Sequence, residues 1–264
     1  MRALLASLVL LCAATAAAED VEVDIELLLA VDVSRSMTPR ELEIQRRGYA
    51  EALAGEEVVS AIRGGLLGRV ALAYMEWAGA GSQRLVVGWT LIETREDAEA
   101  FAARISAHFD GAMRRTSISG AIAYAAASFE NNGFTGLRRV IDVSGDGPNN
   151  QGAPVTLARD AALKAGFTIN GLPLMTREGM GGQWRLDDLD EYYRRCVIGG
   201  PTSFVIPVLE WRHFPTALRR KLVLELADRR ATPVPAQFDP PAEPYDCMAG
   251  ERIWERLRDD WMNP

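Results

Sequence analysis

Apolar runs alternate with segments of helical spacing along most of the chain. The run 24–31 consists almost entirely of aliphatic residues, which is typical of a parallel strand covered on both faces. Because helix-like segments separate most of these runs, the pattern predicts a doubly wound α/β sandwich, with a mostly parallel sheet between two helical layers. The strand-like runs are 24–31, 69–77, 84–92, 138–144, 167–174 and 203–209.

Two of these runs are joined without a helix. The stretch 78–83, which contains Gly79 and Gly81, is all that separates 69–77 from 84–92. So short a connection joins antiparallel strands, since a parallel crossover needs a dozen or more residues. The sheet should therefore contain one antiparallel strand.

Capping signals mark the starts of two predicted helices. Thr38 as N-cap, Pro39 at the first helical position and Glu41 three residues after the cap form a capping box. Thr94 and Asp97 repeat the pattern. Further helices are predicted at 118–130, 154–165, 187–196 and 215–227.

The N-terminus reads as an export signal. Arg2 precedes an apolar stretch, and three alanines end at Ala18 as a cleavage site. We expect residues 1–18 to be removed and the product to be periplasmic or secreted. Residues 19–230 then form the α/β domain.

The C-terminal segment 231–264 is rich in proline at its start and ends in a short amphipathic piece. We expect it to pack on the domain as a tail. An exported product would keep two cysteines, Cys196 and Cys247, which in an oxidising compartment form a disulfide or remain two free thiols. A disulfide would fasten the tail to the helix that carries Cys196.

Hard oxygen ligands follow the first long strand. Asp32, Ser34 and Ser36 lie where the run 24–31 stops, and ligands bind at the carboxyl ends of strands in open α/β sheets. Thr116, in a loop before a small-residue helix, and Asp146, after the run 138–144, would reach the same edge if the two strands are neighbours. Carboxylate and hydroxyl oxygens are ligands for Mg²⁺ or Mn²⁺. The sequence predicts a metal site made of these five side chains.

Other polar residues near this cluster have open roles. Asp142 lies inside a predicted buried strand, where it needs an arginine or a backbone partner at the sheet edge, or else contacts the metal. Glu76 is either a solvated loop acid or a metal contact through water. Ser117 is the alternative to Thr116 as the loop hydroxyl. Asn149 and Asn150 are expected to shape their loop.

This order of motifs resembles that of von Willebrand factor type A domains, including the inserted domain of integrins. The metal-ion-dependent adhesion site of those domains has a D-x-S-x-S motif, matched by 32–36, then a threonine, matched by Thr116, and an aspartate, matched by Asp146. The resemblance covers about residues 22–228. The chain also resembles an exported bacterial subgroup catalogued as a domain of unknown function. The features that carry this resemblance are the predicted signal peptide, the segment Ser-Gly-Asp-Gly-Pro-Asn-Asn at 144–150, and the two cysteines near the C-terminus.

The resemblance implies a non-enzymatic domain in which a bound Mg²⁺ or Mn²⁺ accepts a Glu or Asp carboxylate of a partner protein. The formal net charge of −7 argues against nucleic acid or an anionic membrane as partner. No G-x-S-x-G, P-loop or H-E-x-x-H motif occurs. Two alternatives remain: a Mg²⁺-dependent phosphatase-like hydrolase with Asp32 as nucleophile, and a structural domain with a vestigial metal site.

Overall fold

The computed structural model describes residues 19–107, 113–176, 185–227 and 244–262. The predicted signal peptide, residues 1–18, and the proline-rich start of the tail lie outside the described residues. The strands of the described part are β1 (Val21–Val23), β2 (Glu26–Asp32), β3 (Val70–Trp77), β4 (Gln83–Ile92), β5 (Phe134–Gly136), β6 (Arg139–Gly145) and β7 (Thr168–Pro173).

Five of the described strands form one sheet in the order β4-β3-β2-β6-β7. All neighbours in it are parallel except β3 and β4, which pair antiparallel. The mostly parallel sheet and its single antiparallel strand confirm the sequence prediction. β1 and β5, which were not predicted, make a separate two-stranded parallel ladder.

Helices cover both faces of the sheet. Thr38 caps the first helix as predicted: its hydroxyl accepts the Glu41 N–H, and the Glu41 carboxylate accepts the Thr38 N–H. A π-helical segment, Tyr193–Val197, continues one short helix. The α-helices are α1 (Pro39–Leu53), α2 (Glu56–Arg63), α3 (Arg95–Ala107), α4 (Ile118–Ala127), α5 (Val155–Lys164), α6 (Leu189–Tyr192), α7 (Phe214–Leu226) and α8 (Ala249–Met262).

Alternate residues of β2 face two separate apolar layers. Leu27 and Leu29 pack with α1, α2, α3 and α7, whereas Leu28 and Ala30 pack with α4, α5 and the segment 189–197. Because β2 is central, its residues from Glu26 to Asp32 are all buried. The near-continuous aliphatic run of this strand is explained by burial on both faces.

Two local predictions differ from the structure. The run 203–209 was expected to be a strand, but it forms only isolated bridges to β7 and its end, such as Val205 with Gly171. Its irregular backbone covers the edge of the sheet without a continuous ladder. Helix α2 was not predicted because its short sequence, Glu56–Arg63, contains adjacent valines and offers no polar N-cap side chain.

Asp142 was expected to pair with an arginine or with the backbone at a sheet edge, and it does neither. It lies in β6, between β2 and β7, and its carboxylate is 2.5 Å from the ammonium of Lys221 on α7. Lys221 also pairs with Glu225, which accepts a hydrogen bond from the Asn170 amide. The Lys221 contact with Asp142 of β6 and the Glu225 contact with Asn170 of β7 thus fix α7 against the sheet.

A disulfide joins Cys196 and Cys247, whose Cα atoms are 5.5 Å apart. It ties the segment before α8 to the π-helical segment, and such a bond is compatible with an exported protein. Nowhere in the described ranges is there a helix of the length and apolar character that a bilayer crossing requires.

The Lys221 cluster makes stability depend on pH. Burial raises the pKa of Glu225 from 4.5 to about 7. The folded protein therefore keeps a proton on Glu225 where the unfolded chain has lost it, so this contribution is complete below about pH 4.5 and is lost as the pH rises through about 7. We predict that Glu225→Gln reduces the loss of unfolding free energy between about pH 5 and pH 8 by about 1–3 kcal/mol. Urea titrations over this range measure it.

Glu99→Gln, at an exposed position on α3, is the matched control and should leave the pH profile unchanged. Parallel profiles for wild type and Glu225→Gln would contradict the assigned role of the buried cluster.

Cys247→Ser should lower the free energy of unfolding by about 2–4 kcal/mol, because the disulfide joins residues 51 positions apart and restricts the unfolded chain. Urea unfolding under oxidising conditions measures the difference. Adding a reducing agent should bring the wild type down to the variant. Equal stability of the two oxidised proteins would refute the prediction.

Candidate metal centre

Two adjacent parallel strands bring the predicted aspartates to one edge of the sheet. Asp32 is the last residue of β2, and Asp146 directly follows Gly145, the last residue of β6. β2 and β6 pair in parallel, with Val31 opposite Ser144. The condition on which the predicted site depended, that these two strands are neighbours, is therefore met.

A chain of hydrogen bonds connects four of the predicted residues. The carboxylate of Asp32 accepts the backbone N–H of Ser34 at 2.7 Å. The hydroxyls of Ser34 and Ser36 are 2.9 Å apart, and Ser36 donates to the Asp146 carboxylate at 2.8 Å. These oxygens consequently share one small region at the carboxyl edge of the sheet.

Thr116 lies in a neighbouring loop that is bonded to the same edge. Met113 at its start donates its N–H to the carbonyl of Val33 at 2.9 Å, and Arg115 adopts a left-handed φ of 75°. Thr116 itself is buried. Among the described residues its hydroxyl makes no hydrogen bond with the other four, so its place in the ligand set rests on the position of its loop.

The asparagines after Asp146 shape the site's loops, as the sequence suggested. Asn150 exchanges two hydrogen bonds with the backbone of Thr116, one of 3.0 Å through its side chain and one of 2.9 Å through its N–H. The Asn149 side chain accepts the N–H of Ser119 at 3.0 Å. The two loops are therefore held together as one unit.

Both aspartates lie where a negative charge is unfavourable. Burial, and then the charge of Asp146, raise the pKa of Asp32 well above its usual range. Burial also raises the pKa of Asp146 to about 6, although its side chain retains some exposure. A positive charge between the carboxyl groups would reverse both effects.

The open questions about two neighbouring residues are resolved. Glu76 is neither solvated nor in the site: it is fully buried in β3 and pairs with Arg46 at 2.9 Å and Arg84 at 2.7 Å. Ser117 uses its hydroxyl as the N-cap of α4, accepting the N–H of Gly120. Because the Ser117 hydroxyl is already engaged in this cap, Thr116 is the better candidate for the metal-binding hydroxyl of the loop.

The donor set fits a hard divalent cation. The second carboxylate oxygen of Asp32 is buried and has no hydrogen-bond partner in the described part of the chain. Buried polar atoms are normally paired, so an unpaired carboxylate oxygen beside two serine hydroxyls and a second carboxylate needs a partner. Hard oxygen donors of this kind suit Mg²⁺ or Mn²⁺.

The C-terminal helix packs on the loops of the site, which the sequence did not indicate. A Cβ on Gly250 would overlap the carbonyl oxygen of Asn149, whose amide donates to Glu251 at 2.7 Å. Arg115 lies 3.3 Å from the ring centre of Trp254. Nothing in the spacing of these residues predicts such contacts, because they join segments more than a hundred residues apart.

A groove of about 710 Å³ opens beside Asp146. Met175 and Leu209 contribute apolar surface to it, whereas Arg185, Asp187 and Glu210 contribute charged groups. The candidate site therefore adjoins a groove of mixed polar and apolar lining.

The sequence matches the model of a family described as "Protein of unknown function (DUF1194)" over residues 22–230. The chain belongs to this family. No curated protein matches the sequence significantly.

Solved structures share the fold at low identity. Proximal thread matrix protein 1 from the mussel byssus has a TM-score of 0.57 and 15% identity, over 79% of this chain and 49% of that one. A second structure of it, described as having a zinc-occupied MIDAS motif, has a TM-score of 0.53 and 16% identity, with coverage of 79% and 49%. The pilus adhesin SpaC from Lactobacillus rhamnosus GG has a TM-score of 0.55 and 11% identity, with coverage of 79% and 31%.

This chain spans about half the length of the mussel protein. At these identities the likeness concerns the fold alone. The predicted three-layer α/β fold is confirmed.

Proposed function

We propose that the protein is a non-enzymatic binding domain that engages a partner protein through a divalent cation. In this proposal the cation is Mg²⁺ or Mn²⁺, and a Glu or Asp side chain of the partner completes its coordination. The observation that carries the proposal is the unpaired, buried oxygen of Asp32 beside the hydrogen-bonded oxygens of Ser34, Ser36 and Asp146. The ligands would be Asp32, Ser34, Ser36, Thr116 and Asp146.

The ligand types favour binding of an outside carboxylate. A bound cation would supply a Lewis-acidic position open to an external oxygen. Ser34, Ser36 and Thr116 contribute neutral hydroxyls beside the two aspartates, and five side-chain ligands leave one position of a six-coordinate ion for an external oxygen. The domain's own net negative charge gives no long-range attraction for an acidic partner, which makes short-range contact with the ion the source of specificity.

The hydrolase alternative gains no support from the residues around Asp32. Ser34 stands two residues after Asp32, where such an enzyme usually has a second acid. An adhesive role needs no reaction at Asp32.

Export of the protein belongs to the same proposal. We infer that residues 1–18 direct the chain out of the cytoplasm and that 19–230 form the binding domain. The disulfide between Cys196 and Cys247 is compatible with an oxidising compartment outside the cytoplasm.

We predict that saturating Mg²⁺ or Mn²⁺ raises the melting temperature and that EDTA reverses the shift. A ligand at 100 times its Kd adds about 2.7 kcal/mol to the stability of the folded state. For a protein of this size that corresponds to a shift of several degrees, about 5–10 °C. Scanning calorimetry with and without metal measures it.

Asp32→Ala should abolish the shift, and Asp160→Ala, which removes an exposed acid on α5, should retain it. A wild-type melting temperature that neither metal nor EDTA changes would favour the vestigial site over the binding site.

The binding role is tested by capture from an extract of the cell that makes the protein. Immobilised wild type should retain a partner with Mg²⁺ present and release it with EDTA, and Asp32→Ala should not retain it. A captured set that is the same under all three conditions would show that metal-mediated binding is not the activity.

A further inference from the structure

Tyr193 approaches Asp32 from the β7 side of β6, although it belongs to none of the loops that carry the candidate ligands. It is the first residue of the π-helical segment, and its side chain is fully buried. Its hydroxyl has no hydrogen-bond partner in the described ranges. Because an unpaired buried hydroxyl is unfavourable, phenylalanine would suit a purely structural role at this position better.

Two glycines on adjacent strands make room for this side chain. A Cβ on Gly171 of β7 would lie 2.7 Å from the Cδ1 atom of Tyr193, so the ring packs directly on the strand backbone. A Cβ on Gly145 of β6 would lie 3.0 Å from the Tyr193 hydroxyl and 2.9 Å from the Oδ2 atom of Asp32. The absence of a side chain at Gly145 leaves the phenol and the carboxylate next to each other.

The two groups are complementary. The Oδ1 atom of Asp32 already accepts the N–H of Ser34, whereas Oδ2 is the oxygen without a partner among the described residues. A phenol is a hydrogen-bond donor and a carboxylate oxygen is an acceptor with room for more than one contact. An unpaired donor and an unpaired acceptor thus adjoin the same glycine.

We propose that Tyr193 is a positioning residue of the metal site, whose hydroxyl donates to Oδ2 of Asp32 through one water molecule. This inference rests on the proposed metal-dependent function. The hydrogen bond would orient the carboxylate and stabilise its charge, since bonds to ionised acceptors are the stronger ones. Groups that hold a ligand in this way typically change metal affinity about 10–100-fold.

The test is Tyr193→Phe, which removes only the hydroxyl. The Kd for Mn²⁺, measured from the electron paramagnetic resonance signal of free Mn²⁺, should rise about 10–100-fold. The midpoint of urea unfolding without metal should stay close to that of the wild type, because the ring still fills the space over Gly171. A merely structural role would change the second quantity and not the first.

Tyr74→Phe is the matched control. Tyr74 is also fully buried with a hydroxyl unpaired within the described structure, but it packs in the layer on the other face of the sheet, against Tyr49. Its substitution should leave the Kd for Mn²⁺ unchanged.

A second pair of variants tests the space around Asp32. Gly145→Ala places a methyl group against both the phenol and the Asp32 carboxylate and should weaken Mn²⁺ binding at least about 10-fold, which tests the ligand role of Asp32 and not Tyr193 alone. Gly88→Ala, in β4, is the control, since a Cβ there would meet nothing within 4 Å.

The outcomes separate this inference from the proposed function. Wild-type affinity for Mn²⁺ in Tyr193→Phe would overturn the role of Tyr193 and leave the metal site standing. Absence of Mn²⁺ binding by the wild type would overturn both. Weaker binding by Tyr193→Phe and Gly145→Ala, with both controls unchanged, would support the inference.

Discussion

A buried carboxylate destabilises a protein unless a nearby group compensates its charge. This fold buries several, and most are compensated: Glu76 by two arginines, Asp142 by a lysine, and Asp24 by three backbone N–H groups of one turn. Asp32 differs, because among the described residues no cationic side chain pairs with it, one of its oxygens has no hydrogen-bond partner, and the charge of Asp146 acts on it. Under the proposed function, an external cation would supply at this edge of the sheet the compensation that the described residues do not.

The site's loops depend on the tail as well as on the sheet. Asn149 is the junction, since its side chain accepts from the α4 end of the Thr116 loop and donates to Glu251 on α8. The close approach of Gly250 to the Asn149 carbonyl fixes how α8 lies on the loop. Helix α8 therefore holds the loops of Thr116 and Asp146 in place. The segment from Asp32 to Ser36 is held instead by β2 and by the capped start of α1.

Much of the fold follows from local signals in the sequence. The aliphatic run of β2, the Thr38 capping box and the short connection between β3 and β4 each predict one element correctly, because each depends on residues close together in the chain. The run 203–209 was wrongly predicted as a strand, since an apolar segment that covers a sheet edge has the same composition as one that pairs in it. No local signal in the sequence identifies Lys221 as the partner of Asp142, because the pairing depends on how α7 lies across β6.

The residues of the site also differ in how far the sequence predicts them. Residue type and position at strand ends predicted that Asp32 and Asp146 would meet, as they do. No local signal distinguishes Tyr193 from Tyr192, its neighbour in a predicted helix. Only the path of the backbone sets the two apart: Tyr192 bonds the Asn149 N–H, and Tyr193 reaches Gly145.

The π-helical segment links these separate features. Wider turns of this kind occur frequently at functional sites, where they change the direction of side chains. Here one turn holds both Tyr193, which points toward Gly145 and Asp32, and Cys196, which anchors the segment before α8. The disulfide therefore fixes both α8, which packs on the Thr116 loop, and the segment that carries the Tyr193 phenol beside Asp32. In the proposed site, whose ligands are three neutral hydroxyls and two carboxylates, rigid support of these side chains would increase the affinity for the ion.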